Sequence, residues 1–396
     1  MEKKKLKILV IHTKYREKGG EDIAVEKEIK LLEKSFQLKK LFLSNESNLF
    51  ISIFVLIFQN NFKFNRILKK EINSFKPDVV YIHNTWFIAG LKIFEILKKK
   101  DINYVIKLHN FRYDCTNTFD NSKHYLNKDF CMSCGQKYNN KSKFNKYFQN
   151  SYLKTISVLM YGKKYLKILQ DSKTNIFVLT KFHKEYLSKK YNITKKINII
   201  PNYLDVKKNQ FNKDTIEKYF IYAGRISDEK GINELIKSFI AANLNGVKLY
   251  IVGTGPKETY LKDLYKNNNV AFLGYKDNPT TLGLIFNSSA VITNTKMFEG
   301  QPTLLCEAAL LKVPVIFPKN GGISEFFPEN YPLKFDQNKE GSLTKIFTDF
   351  NNYNSEKLAL ENFKFISSKL NKNLLAEQFQ INFLNIILQS KENDNE

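Results

Sequence analysis

Short apolar runs alternate with longer amphipathic stretches over most of the chain. In the first half, the runs Lys7–His12, Asp78–His83 and Tyr104–His109 predict buried strands, and the stretch from Glu21 to about Lys34 predicts a helix. Alternation of strand and helix indicates parallel sheets with helices packed on their faces. Further strands are predicted at Leu41–Leu43, Asn175–Thr180 and Ile197–Asn202, and beginning near Phe220, Leu249, Ala271, Ala290 and Pro314.

A polar stretch rich in Lys and Asn, residues 205–218, divides this pattern into two halves. The chain has 396 residues, which is enough for two domains of ordinary size. We therefore expect an N-terminal domain of residues 1–204, a linker of residues 205–218 and a C-terminal domain of residues 219–370. Further helices are predicted at Ser151–Asp171, Lys181–Tyr191 and, as an apolar-periodic tail, Leu358–Leu388.

The stretch Phe298–Leu311 follows a predicted buried strand and carries the clearest candidate chemistry. Gly300 and Pro302 mark a strand-to-helix turn, and Pro302 suits the first helical position because its missing N–H would be unpaired there. The free amides of Thr303 and Leu304 then form an anion site that suits phosphate. Glu299 and Glu307, eight positions apart and so roughly 12 Å along a helix axis, bracket this site. A phosphate between two carboxylates suits a nucleotide sugar.

Two cations follow the predicted strand Phe220–Gly224. The guanidinium of Arg225 offers a planar fork for phosphate oxygens, and Lys230 offers a point charge. Two fixed cations can neutralise a leaving diphosphate without a metal ion. The alternative is that both are solvated loop charges. This interpretation is the weaker one, because the Phe298–Leu311 stretch follows the end of another predicted strand downstream.

His-Asn pairs end two of the predicted N-terminal strands, at His83-Asn84 and His109-Asn110. Ligands of open α/β sheets bind outside the carboxyl ends of the strands, so both pairs are placed where chemistry occurs. Either histidine could instead be a polar strand end that bonds to its own loop. Gly19-Gly20, between the first strand and helix, is a weak signal that a plain turn would also explain.

Cysteines cluster in a loop-rich region of residues 111–150. Cys115, Cys131 and Cys134, with His124 nearby, could form a closed structural zinc site. A second full Cys pair is missing, however, so free or partly buried thiols are the other interpretation. No metal is assigned to the reaction itself.

The net charge of +24 bears on partners, not on fold. It suits an anionic donor, an anionic membrane face or nucleic acid, but its even spread along the chain weakens the nucleic-acid interpretation. The apolar run near the N-terminus is too short for a signal peptide, and Leu49–Phe58 is about half the length of a spanning helix. We therefore expect a cytoplasmic protein. Leu49–Phe58, followed by Lys63, Arg66, Lys69 and Lys70, predicts either a buried helix or one that faces an anionic membrane.

An ordered set of motifs resembles the retaining glycosyltransferases of the GT-B fold, the large bacterial family with a Glu, seven residues, Glu signature. The set comprises Tyr222-Ala223-Gly224-Arg225 with Lys230-Gly231, Ile251 to Pro256, Glu299 to Glu307, Pro314 to Ile316, and Gly321-Gly322-Ile323 with Glu325. The resemblance implies an α/β fold of two Rossmann-like, doubly wound parallel-sheet domains that face each other across a cleft. It also implies that residues 371–396 form a helix crossing back to the N-terminal domain.

The resemblance implies transfer of a sugar from a nucleotide-diphosphate sugar to a glycan or lipid-linked glycan precursor, in cell-surface polysaccharide synthesis. The donor is a co-substrate, and no cofactor is expected. The predicted catalytic residues are Glu299, which would position the sugar and stabilise its anomeric carbon, and His109, which would touch the donor sugar. The predicted substrate-binding residues are Gly19, Gly20, Arg225, Lys230, Gly300, Pro302, Thr303, Leu304 and Glu307.

Three alternatives remain at this point. A nucleotide-sugar epimerase or an inverting transferase could use the same fold, and an inverting enzyme would need a general base such as His83 or Asp22. A basic, non-catalytic nucleic-acid-binding protein is a remote third alternative. It would require cations gathered in one cluster with interleaved aromatic residues, whereas the charge of this chain is spread evenly along it.

Overall fold

The computed structural model describes residues 5–15, 19–44, 54–55, 57–86, 88–111, 113, 151–194, 196–206, 211, 217–266 and 268–393. These residues form two compact units. The first contains the described residues up to Tyr203 together with those from Lys372 onward, and the second contains those from Leu204 to Asn371.

The first unit is built on a parallel sheet. Among its described residues the sheet has six strands in the order β2-β1-β3-β4-β5-β6. The central strands are buried along their whole length, as expected for a parallel sheet covered on both faces. The strands are β1 (Lys7–Lys14), β2 (Gln37–Ser44), β3 (Val79–Ile82), β4 (Tyr104–Leu108), β5 (Asn175–Val178) and β6 (Ile197–Ile199).

Side-chain caps fix where several helices of this unit begin. The side chains of Asn61, Ser151 and Thr180 each accept a hydrogen bond from an amide in the first turn of the helix that follows. The helices are α1 (Gly20–Leu32), α2 (Phe62–Phe75), α3 (Lys92–Lys99), α4 (Tyr152–Leu169) and α5 (Lys181–Tyr191).

The second unit has its own parallel sheet, with six strands among the described residues in the order β12-β11-β10-β7-β8-β9. Numbered within the unit, this is the 3-2-1-4-5-6 order of Rossmann domains read from the other edge, with the reversal between β7 and β10. The strands are β7 (Lys218–Ala223), β8 (Val247–Val252), β9 (Val270–Gly274), β10 (Ala290–Ile292), β11 (Val315–Pro318) and β12 (Lys334–Phe335).

Helices connect the strands of the second unit and cover its sheet. Asp277 caps one of them through its side chain, with Pro279 in the first turn, where its missing N–H costs nothing. The helices are α6 (Ile232–Ala241), α7 (Glu258–Leu264), α8 (Asn278–Asn287), α9 (Thr303–Leu310), α10 (Ser342–Asp349) and α11 (Ser355–Lys369).

The sequence analysis missed or misplaced several features. Strand β12 was not predicted, because two residues are too few to show a periodicity. The tail expected as one helix is two, since α11 ends at Lys369 and a separate helix α12 (Lys372–Asn393) follows. Helix α12 belongs to the first unit, where it contacts α1 and β3. Pro302 precedes the first helical residue of α9 instead of occupying it.

Among the described residues, no helix is both long and apolar enough to cross a bilayer. Leu49–Phe58 lies partly outside the described residues, so the structure tests only part of the helix predicted there.

Candidate functional site

The predicted anion-binding loops meet at the point where the strand order of the second sheet reverses. The loop after β7 carries Lys230 and the loop after β10 carries Glu299, and the Nζ of Lys230 lies 2.5 Å from Oε1 of Glu299. Thr295 Oγ1 donates to the same oxygen at 3.2 Å. About a quarter of each side chain in the ion pair is exposed, so a ligand can reach both charges. Ligands of doubly wound sheets bind at such a reversal.

Backbone contacts fasten these two loops together. The side-chain amide of Asn294 donates to the carbonyl of Gly231 at 2.9 Å, and the amide of Lys296 donates to the carbonyl of Glu229 at 2.9 Å. Gly231 has φ +65°, and a Cβ there would overlap the carbonyl oxygen of Asn294. Glycine at 231 therefore allows the close approach that brings Lys230 to Glu299.

A third loop, after β11, packs on the backbone around Glu299. The amide of Gly322 donates to the carbonyl of Glu299 at 2.9 Å. The side-chain amide of Asn320 donates to the carbonyls of Thr295 and Met297, at 3.1 and 2.9 Å. The loop that carries Glu299 is thus held on two sides.

The turn Gly253-Thr254-Gly255, which lies within the motif Ile251 to Pro256, packs against the loop that carries Arg225. A Cβ on Gly253 would overlap the carbonyl of Gly224, and one on Gly255 would overlap the carbonyl of Ile226. The amide of Ile226 in turn donates to the carbonyl of Thr254 at 2.9 Å. Both glycines therefore serve backbone packing.

Helix α9 starts beside Glu299. Its first intrahelical bond runs from the amide of Cys306 to the carbonyl of Pro302 at 3.0 Å, so the amides of Thr303 and Leu304 have no acceptor inside the helix. Both residues are half-buried. Gly300 and Glu307 are buried. Pro302 lies one position before the helix and not at its first residue, as was predicted, but the free amides are still those of Thr303 and Leu304.

Arg225 immediately follows Gly224 at the end of β7. Its side chain is exposed and forms no ion pair with any residue in the described part of the chain. Tyr222 Oη donates to the carbonyl of Arg225 at 2.9 Å, which anchors the backbone of this residue while its guanidinium stays in solvent.

The two predicted histidines of the first unit meet at the carboxyl ends of β3 and β4. His83 Nδ1 lies 2.9 Å from His109 Nε2, and the rings stack with centroids 5.2 Å apart. Burial lowers the pKa of both imidazoles well below the ordinary value, and neighbouring positive groups, including Lys107, add to the effect. Both rings are therefore neutral at pH 7. They line a small cavity together with Asn110.

The loop with Gly19 and Gly20 is tied to a histidine that the sequence analysis did not single out. His12 Nε2 lies 2.8 Å from Asp22 Oδ1, and the amide of Gly19 donates to Asp22 Oδ2 at 3.0 Å. Burial alone would raise the pKa of Asp22, but its bonds to His12 and Gly19 outweigh burial, and this pKa is lowered. The only sequence signal for His12 is a titratable residue near the end of an apolar strand.

A buried charged cluster lies beneath His83 and was also missed. Lys107, on the central strand β4, forms an ion pair with Glu28 of α1, and Tyr81 Oη donates to Glu28 at 2.5 Å. The carboxylate of Glu28 also lies near His83, with Oε1 3.8 Å from Nε2 of that imidazole. Lys107 interrupts an otherwise apolar run, which is the signal that could have pointed to a buried partner.

The cysteine cluster predicted as a zinc option, Cys115, Cys131 and Cys134, lies outside the described residues. Within the part of the chain that the structure describes, no group of three or more His, Cys, Asp or Glu side chains is arranged to hold a metal ion. Cys306, which is described, is a buried free thiol.

Comparison with known proteins places the Lys230–Glu299 site inside a recognised domain. Residues 205–361 match the family model described as Glycosyl transferases group 1. The capsular polysaccharide biosynthesis glycosyltransferase CapM of Staphylococcus aureus is 33% identical over 102 residues, which is 24% of this chain and 26% of CapM. Matched segments span between about a quarter and a half of the length of the curated relatives.

Solved structures match almost the whole chain. Sucrose-phosphate synthase from Thermosynechococcus elongatus superposes with a TM-score of 0.69 at 15% identity, covering 97% of this chain and 100% of the synthase. Anabaena Alr3699/HepE in complex with UDP and glucose gives a TM-score of 0.62 at 13% identity, covering 95% and 98%. These matches and the two six-stranded parallel sheets confirm the GT-B fold class predicted from the sequence.

Proposed function

We propose that the protein is a retaining glycosyltransferase that moves a sugar from a nucleotide-diphosphate sugar to a hydroxyl of a glycan or lipid-linked glycan precursor. The observation that carries the proposal is the Lys230–Glu299 pair at the strand reversal of the second sheet, inside the segment that matches the group 1 family model. The proposed setting is cell-surface polysaccharide synthesis, in line with the similarity to CapM. The proposed location is the cytoplasm, at the inner face of the membrane that carries the acceptor.

In this proposal the second unit holds the donor diphosphate. Arg225, Lys230 and the amides of Thr303 and Leu304 stabilise its charge as the bond to the sugar breaks. Lys230 is already oriented by Glu299, so the diphosphate meets a positioned cation and little reorganisation is needed.

Each acidic residue has a separate role. Glu307 accepts hydrogen bonds from the ribose hydroxyls. Glu299 positions the donor sugar and stabilises the positive charge that develops at the anomeric carbon. His109 contacts the donor sugar, and the departing phosphate oxygen takes the proton of the attacking hydroxyl.

The inverting alternative requires a general base, and both candidates are poorly suited to that role. Asp22 is hydrogen-bonded through both oxygens and its pKa is lowered. His83 is buried, bonded to His109, and has a lowered pKa. A base with a depressed pKa accepts a proton less readily at neutral pH. These contacts favour retention.

The test begins with a thermal-shift screen of the full chain against uridine, guanosine and cytidine diphosphate sugars. A true donor at 100 times its Kd adds about 2.7 kcal/mol of stability and raises Tm by several degrees. The donor that stabilises the protein is then incubated with glycan acceptors, and NMR assigns the anomeric configuration of the product. A retained configuration supports the proposal, whereas inversion, epimerised donor without transfer, or no response to any donor contradicts it.

A further inference from the structure

Three phenylalanines of the first unit form an exposed apolar cluster. Phe54, Phe58 and Phe62 are 42%, 60% and 68% exposed. Their rings touch, with centroids 4.6 Å apart for Phe54 and Phe58 and 6.2 Å apart for Phe54 and Phe62. Single exposed apolar side chains are common, but a contiguous aromatic cluster in water marks a contact surface.

A cationic groove adjoins this cluster and shares Phe62 with it. The groove has a volume of about 650 Å³, and its lining includes Lys63, Arg66, Lys69 and Lys92 but no carboxylate. Lys92 is paired with Glu95. The other three cations are exposed and form no ion pair with the residues that the structure describes.

The periodicity of α2 places these features on one side of the helix. Lys63, Arg66 and Lys69 recur every three positions and so share a face. Phe64 and Leu68, on the other side, are buried against the unit. The helix is therefore held in the fold by its apolar face while the cations stay in solvent beside the aromatic cluster.

We infer that this surface docks on an anionic lipid bilayer, with the three phenylalanine rings inserted at the interface and the three α2 cations against the headgroup phosphates. Apolar insertion beside a cationic face is the combination by which peripheral helices bind membranes. The inference rests on the membrane location proposed above and identifies the surface that would make the contact. Its test measures vesicle binding and does not depend on transferase activity.

Nucleic acid is the rival occupant of a cationic groove with aromatic residues. Its bases stack on aromatic rings spaced along the path of the strand. Here Phe54 and Phe58 pack on each other at 4.6 Å, which leaves no room for a base between them. A cluster of touching rings matches a lipid interface better.

The test is cosedimentation of the full chain with vesicles of neutral phosphatidylcholine, with or without about one-third anionic phosphatidylglycerol. We expect binding to the anionic vesicles that weakens as salt is raised, and little binding to the neutral ones. The variant K63Q/R66Q/K69Q should bind about 100-fold more weakly, because each cation near an anionic surface contributes about fivefold. F58S/F62S should lose about tenfold or more.

A matched control removes the same charge elsewhere. K345Q/K357Q/K364Q alters three exposed lysines of the second unit and should change binding by less than about threefold. Circular dichroism and Tm establish that each variant is folded. The inference fails if the wild-type chain does not bind anionic vesicles at low salt, or if the control weakens binding as much as the groove variant. It also fails if a single-stranded oligonucleotide binds as tightly and with the same dependence on the groove cations.

Discussion

The ammonium of Lys230 and the carboxylate of Glu299 lie 2.5 Å apart although 69 positions separate them in the chain. The pair spans the strand reversal of the second sheet, and contacts of Gly231 and Gly322 hold the two loops in place. In the proposed mechanism this cation is already positioned when the diphosphate departs, so it should act mainly on the chemical step.

Removal of either cation should therefore slow turnover. We expect Lys230→Ala and Arg225→Ala each to lower kcat by about 100-fold, the effect typical of one lost electrostatic contact to a transition state. Steady-state kinetics with the donor found by thermal shift measure this effect. Lys345→Ala, an exposed lysine of α10, is the control and should leave kcat unchanged. Unchanged kcat in either site variant contradicts the diphosphate assignment.

Glu307 should affect donor binding more than turnover. The carboxylate is buried just inside α9, and we propose that it accepts hydrogen bonds from the ribose. Glu307→Gln keeps the size but removes the charged acceptor, so donor KM should rise about tenfold while kcat changes less than threefold. Glu299→Gln, measured in parallel, should lower kcat and change donor KM little. A fall in kcat for Glu307→Gln with unchanged KM would assign this residue to the chemical step.

The strands and the loops of the candidate site could largely be predicted from the sequence, because the information is local. Apolar runs in parallel sheets are buried throughout, and ligand loops follow their carboxyl ends. This logic predicts Lys230, Glu299, His83 and His109 beyond the ends of strands, where the structure has them.

The partners of these residues could not be predicted, because they depend on strand order. Nothing local indicates that β3 lies beside β4 so that His83 meets His109, or that α1 brings Glu28 to Lys107. The packing role of Gly253 has the same origin, since its neighbour is the loop after another strand. Pairings between distant segments require the assembled sheet.

A pair of glycine substitutions can separate backbone strain from loop packing. Gly231 and Gly246 have nearly the same φ, +65° and +68°, but a Cβ on Gly231 would overlap the carbonyl of Asn294, whereas a Cβ on Gly246 would meet nothing within 4 Å. Gly246→Ala should cost about 1 kcal/mol from the left-handed conformation alone. Gly231→Ala should cost at least about 2 kcal/mol more and reduce kcat, because the loop carrying Lys230 must move away from Glu299. Chemical denaturation and kinetics measure both, and equal effects of the two substitutions would show that loop packing contributes nothing.

Acid should destabilise the protein through its buried histidines, and His183 offers the cleanest test. Its ring is fully buried, with Nε2 3.0 Å from Tyr113 Oη, and burial lowers the pKa of His183 to about 3. In the unfolded chain the ordinary pKa is about 6.5, so between these values the unfolded state binds one more proton than the native state. Stability from this residue is therefore complete above pH 6.5 and decreases as pH falls toward 3.

The magnitude follows from the same linkage. His183 alone should lower the free energy of unfolding by about 1.4 kcal/mol for each pH unit below about 6, and His83 and His109 act in the same direction because their pKa values are also lowered. His183→Phe keeps an aromatic ring beside Phe111, whose centroid lies 4.2 Å away, but cannot titrate. Chemical denaturation at pH 7.5, 6.5 and 5.5 should give a shallower decline for this variant than for the wild-type chain. An identical slope in both proteins would mean that the imidazole of His183 is protonated to the same extent in the folded and unfolded states.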